Sequence, residues 1–344
     1  MRRGVPLTVA ALAAAVLMAA TAVVAQSPAT RSSAARPSSA PRTTDGQPSL
    51  EGFWTNDNVT PLERPAEFGN KEVLSPEEAA AYAKKRRDQF LAQPKDNIHY
   101  DDAIWQDEHY TKDKAARLRT SLVIDPRDGK LPPLTAEAQK REAARVANRA
   151  GTGVSDSAQT RSLAERCISW GNVGPPMIPP TYYANFQIMQ SRDMVAIRHE
   201  LMHDVRIIYL DGRSHPSSSI QYLAGHSLGH WEGDTLVVDT TNFTDQTNFR
   251  GPPATTRQEI SHTRTLHVVE RFTRADTNTI NYQFTVEDPA TWTRSWSGEY
   301  AIRAFEGPIY EYACHEGNYG LANILRAARV EEAAKARSAR PSSN

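Results

Sequence analysis

The chain has 344 residues and equal numbers of basic and acidic side chains, 40 of each, so its formal net charge at pH 7 is zero. This balance excludes a global field that would draw the protein to nucleic acid or to an anionic membrane surface. We therefore expect no nucleic acid as a partner, and the charge names no other partner and no oligomeric state.

Residues 1–25 have the three-part plan of a secretory signal. Arg2 and Arg3 precede a largely apolar run, and Ala25 is the expected cleavage residue. The run is short for a membrane span, and no later segment approaches the ~20 apolar residues that a spanning helix needs. The sequence predicts export to the periplasm or the medium, with no membrane insertion once the signal is removed.

Composition divides the rest of the chain into four parts. Residues 26–49 are rich in Ser, Ala, Pro, Thr and Arg and lack aromatic side chains, which predicts a disordered linker. Residues 50–182 predict an N-terminal region of loops and helices that packs on a β domain of residues 183–332. Residues 333–344 return to Ala, Arg and Ser and predict a flexible tail.

Two N-terminal helices are predicted from their capping residues. Ser75 is placed as an N-cap, with Pro76 at the first helical position and Glu78 completing a capping box. Thr135 is the cap of the second helix, and Gly151 follows its end. A further helix is predicted near the C-terminus in the run LANILRAARVEEAAKAR.

The region from residue 183 contains seven or eight short segments of β-branched and aromatic residues, separated by turn residues. They are NFQIMQS, MVAIRHE, VRIIYLDG, DTLVVDTTNF, RTLHVVERFTR, NTINYQFTVED, SGEYAIRAFEG and PIYEYACHEG. Short loops without crossover helices predict a mainly β fold, an antiparallel meander that closes into a barrel or curls strongly. We favour a barrel with an apolar pocket, and a sandwich is the second choice.

The two cysteines, Cys167 and Cys314, lie in a chain that we expect to be exported. An oxidising compartment favours a bridge between them, which predicts a disulfide. The alternative is two unrelated buried thiols.

The string HELMH, from His199 to His203, matches the zinc-protease pattern H-E-x-x-H. A zinc protease needs this pattern on a helix, but the flanks MVAI and VRIIYL predict strands, which would turn Glu200 to the opposite face. The extended motif also needs Gly and His where the chain has Arg206 and Tyr209. We expect no cofactor, and a zinc-dependent hydrolase that uses His199, Glu200 and His203 stays as the last alternative.

Charged residues on apolar strand faces are the more informative signal. Period-two alternation places Arg206, Glu270 and Glu316 with apolar neighbours, and burying such charges alone costs several kcal/mol. If these faces line one interior, the three residues form a polar cluster. The cluster predicts either acid–base chemistry or a structural ion-pair network that fixes strand register.

Histidines and aromatic residues supply candidate ligand-binding side chains. His226 lies near the entrance of a predicted hairpin, where an exposed histidine is ordinary, and His315 and Tyr319 belong to the segment YEYACHEGNYG. That segment is either a cluster of functional side chains or simply the end of a disulfide before a helix. Trp231 and Trp296 complete the predicted ligand-binding set.

Several phrases resemble a large family of exported proteins found in soil bacteria. They are LEGFWTNDNVTPLERP, RTSLVIDPRDGKLPPLTAEAQ, HDVRIIYLDGRSHP, GHWEGDTLVVDTTNFTD, VVERFTR, DPATWTRSW and YEYACHEGNYG. The resemblance covers nearly all of the mature chain and implies export, but the family carries no established activity. In the sequence pattern of that family the residue type at position 199 varies, whereas His203, Asp204 and Arg206 match the pattern. The stretch GHWEGDTLVVD also resembles the Gly-x-Trp wording of lipocalin-like barrels.

Two functions of different classes follow from these features. The first is a cofactor-independent acid–base enzyme, a lyase, isomerase or hydrolase, that acts on a small organic molecule in a barrel pocket. Its predicted catalytic residues are His203, Asp204, Arg206, Glu270 and Glu316. The second is a non-catalytic protein that binds a small ligand in the same pocket.

Overall fold

The computed structural model describes residues 40–58, 60–91, 118–150, 153, 155–170, 174–179, 183–250 and 259–339. The predicted signal peptide and the first part of the predicted linker lie outside the described residues. The described part of that linker, residues 40–49, contains an antiparallel bridge between Arg42 and Pro48, and Ser49 is buried. The chain is therefore packed against the fold before residue 50.

The fold is mainly β, as predicted. Nine strands form a closed barrel in the order β1-β3-β4-β5-β6-β7-β10-β11-β12, and β12 pairs back to β1. An extra strand, β2, pairs with β12, and β8 and β9 form a separate ribbon. The strands are β1 (Gly52–Thr55), β2 (Val123–Asp125), β3 (Asn185–Gln190), β4 (Met194–His199), β5 (Val205–Tyr209), β6 (His226–Glu232), β7 (Thr235–Thr241), β8 (Asn248–Arg250), β9 (Glu259–Ser261), β10 (His267–Asp276), β11 (Thr279–Glu287) and β12 (Trp296–Ala304).

Period-two alternation explains how these strands close around a core. Buried and partly exposed residues alternate along most of β10, so that one side chain in two points inward. Large aromatic side chains fill the interior, among them Trp54, Phe186 and Trp296. Gly298 makes room for one of them, because a Cβ at that position would lie 2.5 Å from the ring of Phe284.

Strand β1 closes the barrel from a region that the sequence assigned to loops and helices. It lies between β3 and β12, with Trp54 paired to Phe186 on one side and to Ala304 on the other. Four residues are too few for a periodic pattern to stand out, which is why the sequence did not indicate this strand. The N-terminal region therefore contributes to the barrel wall.

One pairing departs from the predicted antiparallel meander. Strands β5 and β6 run parallel, with Ile208 opposite Ser227, and residues 210–225, the crossing segment, connect them. The turn at Asp211–Gly212 therefore opens a crossing segment and does not close a hairpin. Residues 232–234 and 275–278 form the turns of the β6–β7 and β10–β11 hairpins.

The helices are α1 (Pro76–Leu91), α2 (Ala136–Ala150) and α3 (Tyr319–Ser338). Both predicted N-terminal caps are confirmed, because the Glu78 backbone donates to Ser75 Oγ at 3.2 Å and the Ala138 backbone to Thr135 Oγ1 at 3.1 Å. The predicted end at Gly151 lies outside the described residues. Helix α3 extends into the segment predicted as a flexible tail. No described helix combines the length and apolar character that crossing a membrane requires.

The predicted disulfide between Cys167 and Cys314 is confirmed. The segment that contains Cys314, residues 308–317, was predicted as a strand, and that prediction is wrong, because the segment forms turns and loops. Two of its backbone N–H groups bond to side chains of the β4–β5 connection. The segment is therefore held by side chains and the disulfide, without a strand partner.

Candidate functional site

The HELMH string forms the hairpin connection between β4 and β5. Residues 201–203 make one turn of 3-10 helix, and Met202 and His203 have left-handed backbone angles, with φ of 63° and 54°. Glu200 Oε1 accepts a hydrogen bond from the Tyr310 backbone at 3.0 Å, and His203 Nε2 accepts one from the Tyr312 backbone at 2.8 Å. The string is therefore not α-helical, and it anchors the segment that precedes the disulfide.

His199 and Asp204 lie where the hairpin meets the barrel interior. His199 is 3% exposed, stacks on Phe186 and has no hydrogen-bond partner at Nε2 within the described chain. Burial, with the nearby charge of Arg206, lowers the pKa of His199 to about 3, so the imidazole is neutral. Burial alone raises the pKa of Asp204 to about 6. The zinc-protease arrangement of His199, Glu200 and His203 is not formed.

A buried ion-pair network joins two of the predicted catalytic residues. Arg206 and Glu270 are 6% and 0% exposed, and the guanidinium bonds to both carboxylate oxygens, with Nη1 to Oε1 at 3.0 Å. Arg206 also donates to Ser227 Oγ at 3.0 Å and to Thr240 Oγ1 at 3.2 Å. Tyr282 donates to Glu270 Oε1 at 2.7 Å. We call these five residues the inner network.

Two further hydrogen bonds extend the inner network to Met177 and Tyr300. Tyr282 Oη accepts from the Met177 backbone N–H at 2.8 Å, and Tyr300 Oη donates to the Met177 carbonyl at 2.5 Å. Burial and the neighbouring Glu270 raise the pKa of Tyr282 well above its usual value, so its hydroxyl stays protonated. Both Glu270 oxygens therefore accept hydrogen bonds from other side chains of the network.

The other predicted site residues lie elsewhere. Glu316 was expected in the buried cluster, but it is exposed in a turn because its segment is not a strand. His315 and Tyr319 are also exposed beside the disulfide. Trp296 belongs to the aromatic core, where it packs edge-on against a second tryptophan. Trp231 packs against the same core and is partly buried. The structure therefore does not bring these five residues together.

A second cluster lies on the outer face of the barrel wall. His215 Nδ1 is 3.0 Å from His226 Nδ1, and His215 Nε2 is 2.9 Å from Asp239 Oδ1. His267 Nε2 approaches the other oxygen of Asp239 at 2.6 Å, and its Nδ1 is 3.6 Å from Glu287. We call His215, His226, Asp239 and His267 the histidine array. Its members are partly exposed.

The array and three residues of the inner network lie on opposite faces of β6, β7 and β10. Along β6 the outward His226 is followed by the inward Ser227, and along β7 the outward Asp239 is followed by the inward Thr240. His267 begins β10, which carries Glu270 on its inner face. The remaining histidine, His215, comes from the segment that crosses between β5 and β6.

Asp239 fixes the proton positions along the array. A carboxylate only accepts, so Nε2 of His215 carries the proton that is donated to Asp239. In a neutral His215 the other nitrogen, Nδ1, must then accept, so His226 donates to it from its own Nδ1. This leaves the lone pair of His226 on Nε2, which has no hydrogen-bond partner among the described residues.

The two ends of the array have pKa values shifted in opposite directions. Burial, then the charges of His215 and Arg213, lowers the pKa of His226. The hydrogen bond to Asp239 raises the pKa of His267, and the same bond lowers the pKa of Asp239. His226 is therefore suited to accept a proton, and His267 to keep one. Groups with pKa values moved apart in this way commonly divide the roles of base and acid.

Two tyrosine side chains lie beside the imidazole ring of His226. Tyr209 stacks on His226 with ring centroids 5.5 Å apart, and Tyr222 lies 6.0 Å away at a tilt. Arg213 covers the Tyr209 ring at 3.8 Å. Tyr222 is 42% exposed, so a flat apolar surface is available beside the imidazole.

Sequence reasoning missed three members of the array. The signal for two of them was present, since alternation in VVDTT and LHVVERF turns Asp239 and His267 away from the apolar face. The contribution of His215 depends on the parallel pairing of β5 with β6, which no local pattern indicates. His226 was predicted as a ligand-binding residue, and the structure places it in this cluster.

Within the residues that the structure describes, no group of three or more His, Cys, Asp or Glu side chains is arranged to hold a metal ion. Comparison of the chain with protein-family models, with curated proteins and with solved structures gives no match.

Proposed function

We propose that this protein is a cofactor-independent acid–base enzyme, a lyase, isomerase or hydrolase, that acts on a small organic molecule at the histidine array. The observation that carries the proposal is the unpartnered Nε2 of His226, which lies at the end of a hydrogen-bonded chain that starts at Asp239. An oriented imidazole with a free lone pair is the usual general base in proteins.

In this mechanism His226 Nε2 takes a proton from the substrate or from an attacking water. The positive charge that develops is shared through the bond from His226 Nδ1 to His215, whose Nε2–H faces the ionised Asp239. His267 bonds to the second oxygen of Asp239 and holds that carboxylate in place. Because Tyr209 and Tyr222 flank the imidazole, we expect a substrate with a planar or aromatic part.

The inner network supports a different role. Every oxygen of Glu270 is bonded to Arg206 or Tyr282, and both charged groups are buried. A general base needs a free lone pair that a substrate can reach. We therefore assign Arg206 and Glu270 to the fold and not to catalysis.

Export is part of the proposal. The basic and apolar start of the sequence has the pattern of a signal peptide, and a disulfide between Cys167 and Cys314 is typical of proteins that fold in an oxidising compartment. The phrases shared with exported soil-bacterial proteins agree with this assignment. We place the mature protein in the periplasm or the medium.

The test uses hydrolysis of 4-nitrophenyl acetate, which responds to a positioned imidazole. We expect His226→Gln to lower kcat/KM at least about 100-fold, the usual contribution of a general base. The wild-type rate rises with pH as His226 loses its proton, with a midpoint below the ordinary histidine pKa of 6.5.

His230→Gln is the matched control, because His230 is an exposed histidine on the same strand and bonds to Glu232 instead of to the array. It should leave kcat/KM and the pH profile unchanged. Equal rates for wild type, His226→Gln and His230→Gln would support the alternative, a non-catalytic ligand-binding protein, and would overturn the proposed activity.

A further inference from the structure

A cavity of about 680 Å³ lies on the outer face of β10, β11 and β12, bordered by the segments around Asn58 and Leu118. Its volume is within the roughly 300–1,000 Å³ typical of small-molecule sites. Arg271, which lines it, is four residues along β10 from His267, or about 13 Å in an extended strand. The cavity is therefore separate from the histidine array.

The cavity carries an excess of positive charge. One of its arginines, Arg271, is paired with Glu232 at 2.7 Å, and another, Arg119, is paired with Glu299. The third, Arg303, donates from Nη1 to the Thr279 hydroxyl at 3.1 Å and forms no ion pair with any residue in the described ranges. Its remaining N–H groups are available to an anion.

A buried amide gives a second, independent indication of a ligand. Asn58 lines the cavity and is only 5% exposed. Its Oδ1 accepts from the Thr60 backbone at 2.9 Å, but its Nδ2 has no partner in the part of the chain that the structure describes. A buried donor without an acceptor is costly, so an acceptor supplied by a ligand would relieve that cost.

Apolar side chains border the same space, among them Leu118, Leu122 and Ala301. We propose that this cavity binds an organic carboxylate with an apolar ring, whose carboxylate accepts from Arg303 and Asn58 and whose ring contacts these side chains. A guanidinium and a neutral amide donor are suited to a carboxylate, and the apolar side chains favour a ligand with an apolar part.

Naphthalene-2-carboxylate is the probe, and its own fluorescence reports binding to the full-length protein. We expect saturable binding at millimolar concentration or below, and at least about 10-fold weaker binding of the methyl ester, which lacks the charge. Arg303→Gln and Asn58→Asp should each weaken binding of the carboxylate probe about 10-fold. Asn58→Asp does so because it replaces the amide donor by a negative charge that repels the carboxylate.

The matched control is Arg294→Gln, because Arg294 is an exposed arginine that pairs with Asp125 outside the cavity. It should bind the probe as the wild type does, and so should His226→Gln, which separates this proposal from the proposed catalysis. Absence of saturable binding, equal affinity for acid and ester, or full affinity in both Arg303→Gln and Asn58→Asp would overturn it. Circular dichroism confirms that each variant is folded.

Discussion

The two faces of one barrel wall carry charged groups in different states. On the inner face, Arg206 of β5 and Glu270 of β10 are buried and bonded to each other. On the outer face, the histidine array is partly exposed, and its last nitrogen has no described partner. A residue that maintains the fold differs from one that can react in whether its polar atoms are already hydrogen-bonded, more than in its residue type.

The largest effect is expected on the inner face. Glu270→Gln leaves the Arg206 guanidinium buried without a compensating charge, which should lower the free energy of unfolding by about 3–5 kcal/mol. Urea denaturation measures this loss. Glu299→Gln is the control, since it breaks the partly exposed pair with Arg119, and its loss should stay below about 1 kcal/mol. An equal, small loss in both variants would contradict a structural role for the inner network.

A smaller effect, with the opposite sign on the free energy of unfolding, is expected for a substitution of Asp204 in the β4–β5 connection. Burial raises its pKa from 3.8 to about 6, so the folded state loses stability as pH rises from 3.8 through 6. Asp204→Asn should therefore stabilise the protein by about 1–3 kcal/mol at pH 7 and leave it almost unchanged near pH 4. Urea midpoints across this range measure the gain.

The control for this experiment is Asp211→Asn, in the crossing segment. Asp211 is exposed, and its bond to Arg213 lowers its pKa, so the substitution should bring no gain at neutral pH. If Asp204→Asn and Asp211→Asn behave alike at pH 7, burial is not the cause of the Asp204 effect.

The smallest effect is expected on the outer face. Asp239 raises the pKa of His267, so their pairing stabilises the fold below pH 6.5, and this contribution is lost as pH rises through the raised pKa. His267→Gln should cost less than about 1 kcal/mol at acidic pH and nothing at alkaline pH, because the pair is partly exposed. A loss of unfolding free energy as large as that of Glu270→Gln would show that the charged groups of the two faces do not differ in their contribution to stability.

Much of this architecture could be predicted from the sequence because its signals are local. Alternation identified most barrel strands and the inward positions of Arg206 and Glu270, and capping residues located the helix starts. Strand β1 and the parallel pairing of β5 with β6 depend on contacts between distant segments. The sequence therefore predicted a closed barrel, but neither the strand that closes it, β1, nor the position of His215.

The candidate site was harder to predict for the same reason. Glu316 was assigned to the buried cluster because its neighbours have a strand-like pattern. The disulfide and the hydrogen bonds that the segment's backbone donates to Glu200 and His203 instead hold it as a loop. Which inward charges are partnered depends on residues of other strands, such as Tyr282 of β11, which bonds to Glu270 of β10. Spacing along one strand cannot supply that information.

The closure of the barrel by β1 determines when the fold can be completed. Trp54 pairs with Ala304, so the first strand meets the last across almost the whole described chain. Long-range pairings of this kind form slowly. Because a chain is synthesised from its N-terminus, β1 cannot pair with β12 until β12 has been made. A product truncated before β12 would have two unpaired sheet edges, which favour association between molecules. Completion of the barrel by its first and last strands therefore protects both edges from such association.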